Sequence, residues 1–167
     1  MTTKKIAQIG MMVAAAFVLS YVESLIPISL GIPGIKLGLP NIVIVLCLYE
    51  CSVSQTVGIS LARIVLTGFT FGNLSMMMYS LAGGILSLGV MILLKRTGKF
   101  SVYGVSVAGG VFHNLGQIFV AMFVLQTGML IYYLPFLLAA GIIAGAVIGM
   151  AGGMLAKRLH VVFAETS

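Results

Sequence analysis

Apolar stretches with almost no charge, most of them about as long as a bilayer is thick, recur along the whole chain, and no other feature of the sequence constrains the fold as strongly. Lys4 and Lys5 precede the first, residues 6–26, in which Glu23 is the single charge. About 20 mostly apolar residues in helical form cross a ~30 Å hydrocarbon core. A helix succeeds there because it satisfies its own backbone donors and acceptors where water cannot. Further runs cover residues 37–50, 55–71, 74–94, 102–124 and 132–156. Of the 167 residues, 60% are hydrophobic and 7% charged, against roughly 25% charged in a soluble domain. The small residues at 14–16 resemble a signal-peptide cleavage region, but the apolar run continues beyond them, which argues for an uncleaved first span. The pattern predicts an all-α integral membrane protein: one domain, residues 1–167, folded as a six-transmembrane-helix bundle.

The basic residues fall at the ends of apolar runs, so the net charge of +6 reads as topology and not as a nucleic-acid surface. Lys4 and Lys5, then Lys95, Arg96 and Lys99, then Lys157 and Arg158 should all be cytoplasmic by the positive-inside rule. Six spans place the N-terminus, the end of the fourth span and the C-terminus on that side. The expected topology is N-in/C-in, with loops 27–40, 68–73 and 126–132 facing outward together.

One outward segment stands apart. Residues 31–41 hold three glycines, two prolines, Lys36 and Asn41. Proline removes a backbone donor and glycine disfavours regular helix, so irregular backbone is expected. Such backbone near lipid is tolerated where protein buries it or where it lines a wet cavity. The run after it, residues 37–50, is short for a full span, and short or interrupted hydrophobic segments point to binding sites in transporters. Lys36 is the basic residue that the topology leaves outside, which suits a ligand better than it suits orientation.

Polar residues inside the runs fall on helical faces. Ser60, Arg63 and Thr67 share one; Ser80, Gly84 and Ser87 share another; Ser106, Gly110, His113 and Gln117 share a third, flanked by Asn114. An ionisable group within a membrane span is a functional-site hypothesis by default. The candidate ligand-binding residues are Glu23, Lys36, Asn41, Arg63, His113, Asn114 and Gln117. The plainer alternative pairs Glu23 with Arg63 or Lys36 and lets His113, Asn114 and Gln117 bind helices together. Two cations near the mouth favour an anionic or carbonyl-rich solute, and Phe69, Phe71, Tyr79, Tyr132 and Tyr133 are placed to stack a flat ring. Gly141, Gly145, Gly149 and Gly153 repeat every four residues as a face for tight helix packing. Gly10 and Ala14 form a smaller surface of that kind on the first helix, a candidate partner-docking face unless it packs against the glycine face. Cys47 and Cys51 read as small hydrophobes, poorly placed for a disulfide.

Several chemistries lack their residues. The chain has no Asp, and its three carboxylates are Glu23, Glu50 and Glu165. A magnesium-diphosphate site needs several hard oxygen ligands, so prenyl transfer by this chain alone is not expected. The phosphate-cradling G-x-x-x-x-G-K-[ST] is missing, because Gly98-Lys99 is followed by Phe100 and position 93 is Leu. His113 has no Asp to orient it in a nucleophilic triad. No catalytic residue, metal site or cofactor is expected.

A set of motifs then resembles one family. They are Glu23, Ile26-Pro27, Pro33-Gly34-Ile35-Lys36-Leu37-Gly38-Leu39, Asn41-Ile42, Arg63-Ile64, Ser80-Leu81-Ala82-Gly83-Gly84, Gly109-Gly110-Val111-Phe112-His113-Asn114-Leu115-Gly116-Gln117 and Leu134-Pro135. Over nearly the whole chain they resemble the Gx transporter family, also labelled heptaprenyl diphosphate synthase component I. Pro40 stands where a small residue is frequent in that family, which leaves the start of the second helix open. The family looks similar to the S components of energy-coupling factor (ECF) importers. That resemblance implies an S-component-like protein of the bacterial cytoplasmic membrane, embedded in lipid. It would bind a small-molecule substrate from outside and work with a transmembrane coupling subunit and two ATPases. The other label implies a non-catalytic membrane component of a heptaprenyl diphosphate synthase.

Overall fold

The structure is a computed structural model that describes residues 3–26 and 38–164, with side chains as far as Leu159. Among the described residues six α-helices follow one another: α1 Thr3–Leu25, α2 Asn41–Glu50, α3 Val53–Thr70, α4 Leu74–Thr97, α5 Val102–Val124 and α6 Leu134–Ala164. A short 3-10 turn, Met129–Tyr133, leads into α6. Among the described residues there is no strand. Among the described residues four segments are long and apolar enough to cross a membrane: Thr3–Leu25, Leu74–Thr97, Val102–Val124 and Met129–Leu159.

Local chemistry sets the helix ends. Ser52 accepts from the Gln55 amide at 3.3 Å while the Gln55 side chain accepts from the Ser52 amide at 2.9 Å, a reciprocal cap that starts α3. For that reason α3 begins at Val53, ahead of the expected residue 55. Asn73 caps α4 through the Met76 amide at 2.8 Å, and Ser101 caps α5 through the Gly104 amide at 3.3 Å. Gly98, at φ 66, ends α4 in the left-handed conformation that glycine alone adopts without strain.

Two boundaries differ further from the sequence expectation. The second helix begins at Asn41 and not at residue 37, which lies outside the described residues. Gly38 has φ 78, which no helix continues, and Pro40 opens the new helix by accepting from the Val43 amide at 3.1 Å. The sixth helix begins at Leu134, after the turn that holds Tyr132 and Tyr133, and Pro135 in its first turn needs no intrahelical donor. It then continues past Lys157 and Arg158 to Ala164.

At ~1.5 Å per residue α2 is only about 15 Å long, yet its residues from Val43 to Leu48 are all buried. It packs chiefly on α6, with α1 and α3 beside it, while α5 lies between α4 and α6. At the far end of α2 the Lys95 ammonium donates to the Leu48 carbonyl and sits 5.0 Å from the Tyr49 ring centre. A cation there suits the negative end of the helix. Cys47 is buried, Cys51 is half-buried and both are free thiols.

The expected glycine face on α6 packs against α5. A methyl group on Gly110 would lie 2.3 Å from the Gly141 carbonyl oxygen, and one on Gly145 would lie 2.7 Å from the Ser106 carbonyl oxygen. The two backbones therefore touch, a separation that side chains forbid. Ser106 Oγ donates to the Gly145 carbonyl across this seam at 2.7 Å.

Candidate functional site

The helices alternate in direction, so the end of α1, the start of α2, the end of α3, the start of α4 and the later half of α5 meet at one end of the bundle. A cavity of about 300 Å³ lies there, at the lower edge of the volumes that small-molecule sites show. Lys95, Arg96 and Lys157 belong to the opposite helix ends.

Five of the seven candidate residues line this cavity: Glu23 from α1, Asn41 from α2, Arg63 from α3, and His113 and Gln117 from α5. They come from four helices, and the sequence spacing alone relates only the last two. Lys36 lies outside the described residues. Asn114 does not line the cavity; its Nδ2 donates to the Leu137 carbonyl at 2.6 Å and ties α5 to α6.

Each wall has a local cause. The Gly38 amide donates to Glu23 Oε1, so the turn before α2 is held to the end of α1. Glu23 in turn acts electrostatically on Arg63. Arg63 is 8% exposed, and its Nε has no hydrogen-bond partner among the described residues. One helical turn on, the buried Thr67 hydroxyl has none either. The α5 wall depends on a close approach by α4. A methyl group on Gly83 would lie 2.7 Å from the His113 carbonyl oxygen and 2.9 Å from Gln117 Cγ. Glycine at that position lets α4 press against the turn that carries both polar side chains.

Apolar groups complete the enclosure. Phe71 lines the cavity and is itself held by Phe17 and Tyr21, with ring centres 5.5 and 5.7 Å away. Met76 and Met77 bring flexible thioethers to the same space. The other proposed stacking residues are elsewhere: Phe69 is 80% exposed and Tyr132 78% exposed, and neither they nor Tyr79 and Tyr133 line the cavity.

Ser20, Ser24, Thr67 and Ser80 also line the cavity and were not among the candidates. Thr67 was legible, because it stands four residues after Arg63 on one helical face. Ser80 lay on a recognised stripe but carries no charge to mark it. Ser60, on the same face of α3 as Arg63, turns instead to an apolar groove between α3 and α4.

The arrangement presents an acid, a guanidinium, an imidazole and two side-chain amides around a small space with an apolar flank. It can recognise a small polar molecule by several hydrogen bonds at once. Among the described residues no three His, Cys, Asp or Glu side chains gather as a metal ion would require.

No curated protein and no solved structure matches the chain. The family described as heptaprenyl diphosphate synthase component I matches residues 12–155. That span takes in all five candidate residues on the cavity wall, and the chain belongs to the heptaprenyl diphosphate synthase component I family.

Proposed function

We propose that this chain is the substrate-binding membrane subunit of an ECF-type importer, capturing a small metabolite in the cavity between α1 and α5. The observation that carries the reading is the convergence of Glu23, Asn41, Arg63, His113 and Gln117 from four helices on one space of about 300 Å³. A purely structural bundle would have no use for so many polar groups around an opening. The solute is anionic or ring-containing, and the cavity faces outward in a six-span, N-in/C-in protein of the bacterial cytoplasmic membrane. Lys36, which lies outside the described residues, is proposed as a further ligand-binding residue. Native mass spectrometry of the purified protein should show a small molecule retained in it. Preparations that never retain or take up any small molecule would remove this reading. Cysteines placed at Asn73 and Thr127 in a cysteine-free version should react with an impermeant reagent on intact cells, and one at Gly98 should not. The reverse pattern would turn the cavity inward.

The chain has no nucleotide-binding motif, so uptake needs partners: a transmembrane coupling subunit and two ATPases. Gly10 and Ala14 are the docking face. Both are exposed on α1, with Ala7 and Met11 beside them, and the glycine face of α6 is already covered by α5. Gly10→Leu with Ala14→Leu should abolish co-purification with such partners and abolish uptake, while solute binding by the isolated protein persists. Loss of the fold in that double variant would instead make the face internal.

Membership of the heptaprenyl diphosphate synthase component I family favours a second reading, in which the chain is a non-catalytic membrane component of such a synthase. Purified protein with magnesium, isopentenyl diphosphate and an allylic diphosphate should give no chain elongation under either reading. The two part over partners. Co-purification of a prenyl synthase subunit, with no ATPase under any condition, would favour the second.

A further inference from the structure

Several hydroxyl groups on these helices donate to the preceding turn, and Thr67 does not. Thr56 donates to the Ser52 carbonyl at 3.0 Å, Thr70 to the Leu66 carbonyl at 2.7 Å and Thr97 to the Leu94 carbonyl at 2.7 Å. Ser20 donates to the Ala16 carbonyl at 2.9 Å. Helical serines and threonines commonly satisfy themselves on the preceding turn in this way. Thr67 sits in a helix with the same option, yet its buried hydroxyl makes no hydrogen bond among the described residues. Arg63 Nε, one turn earlier, is buried and equally unpartnered. Buried polar groups are nearly always paired, so two unpaired donors on one wall are a specific signal. Residues four apart share a helix face, and both of these line the cavity.

We infer that Arg63 and Thr67 together hold the carboxylate of the captured solute, the Nε–H on one oxygen and the hydroxyl on the other. This rests on reading the cavity as a solute site and names the chemistry of that solute. Carboxylate fits better than phosphate for an electrostatic reason. Glu23 shares the cavity and already balances the charge of Arg63. A singly charged guest adds one negative charge to that pair, whereas a phosphate dianion adds two in a poorly solvated space. The rest of the guest lies against Phe71, Met76 and Met77, which suits a flat or apolar body, since thioethers and ring edges attract. The solute class is therefore a small aromatic or apolar monocarboxylate.

Ligand-observed fluorine NMR on the full-length protein in detergent tests this with 4-fluorobenzoate and its uncharged partner 4-fluorobenzamide, empty micelles giving the baseline. The acid should broaden beyond that baseline and bind about tenfold more tightly than the amide. Arg63→Lys keeps the charge but loses the Nε–H, and Thr67→Val keeps the shape but loses the hydroxyl. Each should weaken the acid about tenfold, as loss of a charge-assisted hydrogen bond does. Ser106→Ala, in the α5–α6 seam, should leave it unchanged. If Arg63→Lys does not fold, Thr67→Val decides alone. Equal binding of acid and amide, wild-type binding of the acid by Thr67→Val, or no binding of the acid overturns the inference. The broader reading fails separately. A retained solute without a carboxylate, found by native mass spectrometry, sinks this inference and leaves solute capture standing, while the lack of any retained or added guest removes both.

Discussion

The α5–α6 seam and the cavity wall are built from similar residues and behave in opposite ways. In the seam Ser106 and Asn114 both find carbonyls on α6, at 2.7 and 2.6 Å. Across the cavity Arg63 Nε and the Thr67 hydroxyl find no partner among the described residues. The difference lies in how closely the backbones approach. Glycines at 110, 141 and 145 bring α5 and α6 into contact, so any polar side chain there reaches the other helix. Around the cavity the walls stand apart, and the same kinds of side chain face a space. Even one helical face is divided this way. Ser106 and Gly110 belong to the seam, while His113 and Gln117, further along α5, belong to the cavity.

Substituting the seam should have the largest effect on stability. In Gly110→Ala the added methyl meets the Gly141 carbonyl oxygen at 2.3 Å, and that atom is backbone and cannot rotate away. The cost should reach the upper end of the ~1–3 kcal/mol that overpacking brings, seen as a large fall in the thermal midpoint of the detergent-solubilised protein. A midpoint within a degree of wild type would mean that the seam is looser than the contact implies.

Arg63→Gln should act on binding more than on folding. Loss of a hydrogen bond from a charged group costs roughly 1.5–3 kcal/mol, or about 10- to 150-fold in affinity. The native mass spectrum of the variant should lose the retained small molecule. Retention equal to wild type would take Arg63 out of the site and leave its guanidinium only the electrostatic influence of Glu23.

A pair of smaller changes sharpens the contrast directly. Asn114→Ala should lower stability by about 1 kcal/mol and leave solute retention intact. Thr67→Val should barely change the thermal midpoint, since no hydrogen bond to another described residue is lost, and should weaken retention. If the two variants exchange these effects, the division between seam and cavity is misplaced. The smallest effect belongs to Gly10→Ala. Nothing lies within 4 Å of the added methyl, and an exposed substitution of this kind stays within about 0.5 kcal/mol. An unchanged midpoint keeps the α1 face free, and a marked fall would show that it is packed.

Much of this fold was legible because lipid imposes a simple rule on sequence. The long apolar runs of α1, α4, α5 and α6 each became one long helix, and capping residues such as Ser52, Asn73 and Ser101 stand where helices begin. The start of α2 was harder to read. Leu37 continues the apolar run, but backbone conformation at Gly38 and the chemistry of Pro40 decided the boundary, and neither shows as hydropathy. Glu23, Arg63 and His113 announced themselves as costly residues within apolar runs. Asn114 looked the same in the sequence as Gln117, and only the Leu137 carbonyl within its reach distinguishes them. Thr67, Ser80 and Ser24 were quieter, because a hydroxyl in a helix ordinarily satisfies itself and leaves no trace of a second role.

Sequence by itself determined that the chain is helical and apolar, where most of its helices lie, and which α6 face is built for close packing. Those properties follow from residue-by-residue solvation and from a period of 3.6, both local. Tertiary structure alone decided that α5 takes the glycine face, that α2 is buried at the centre despite its length, and which polar residues meet across one cavity. The physical reason is that a hydrogen bond needs its partner within about 3 Å. Whether a carbonyl stands there depends on how closely two helices approach, and glycines scattered along α4, α5 and α6 set that distance.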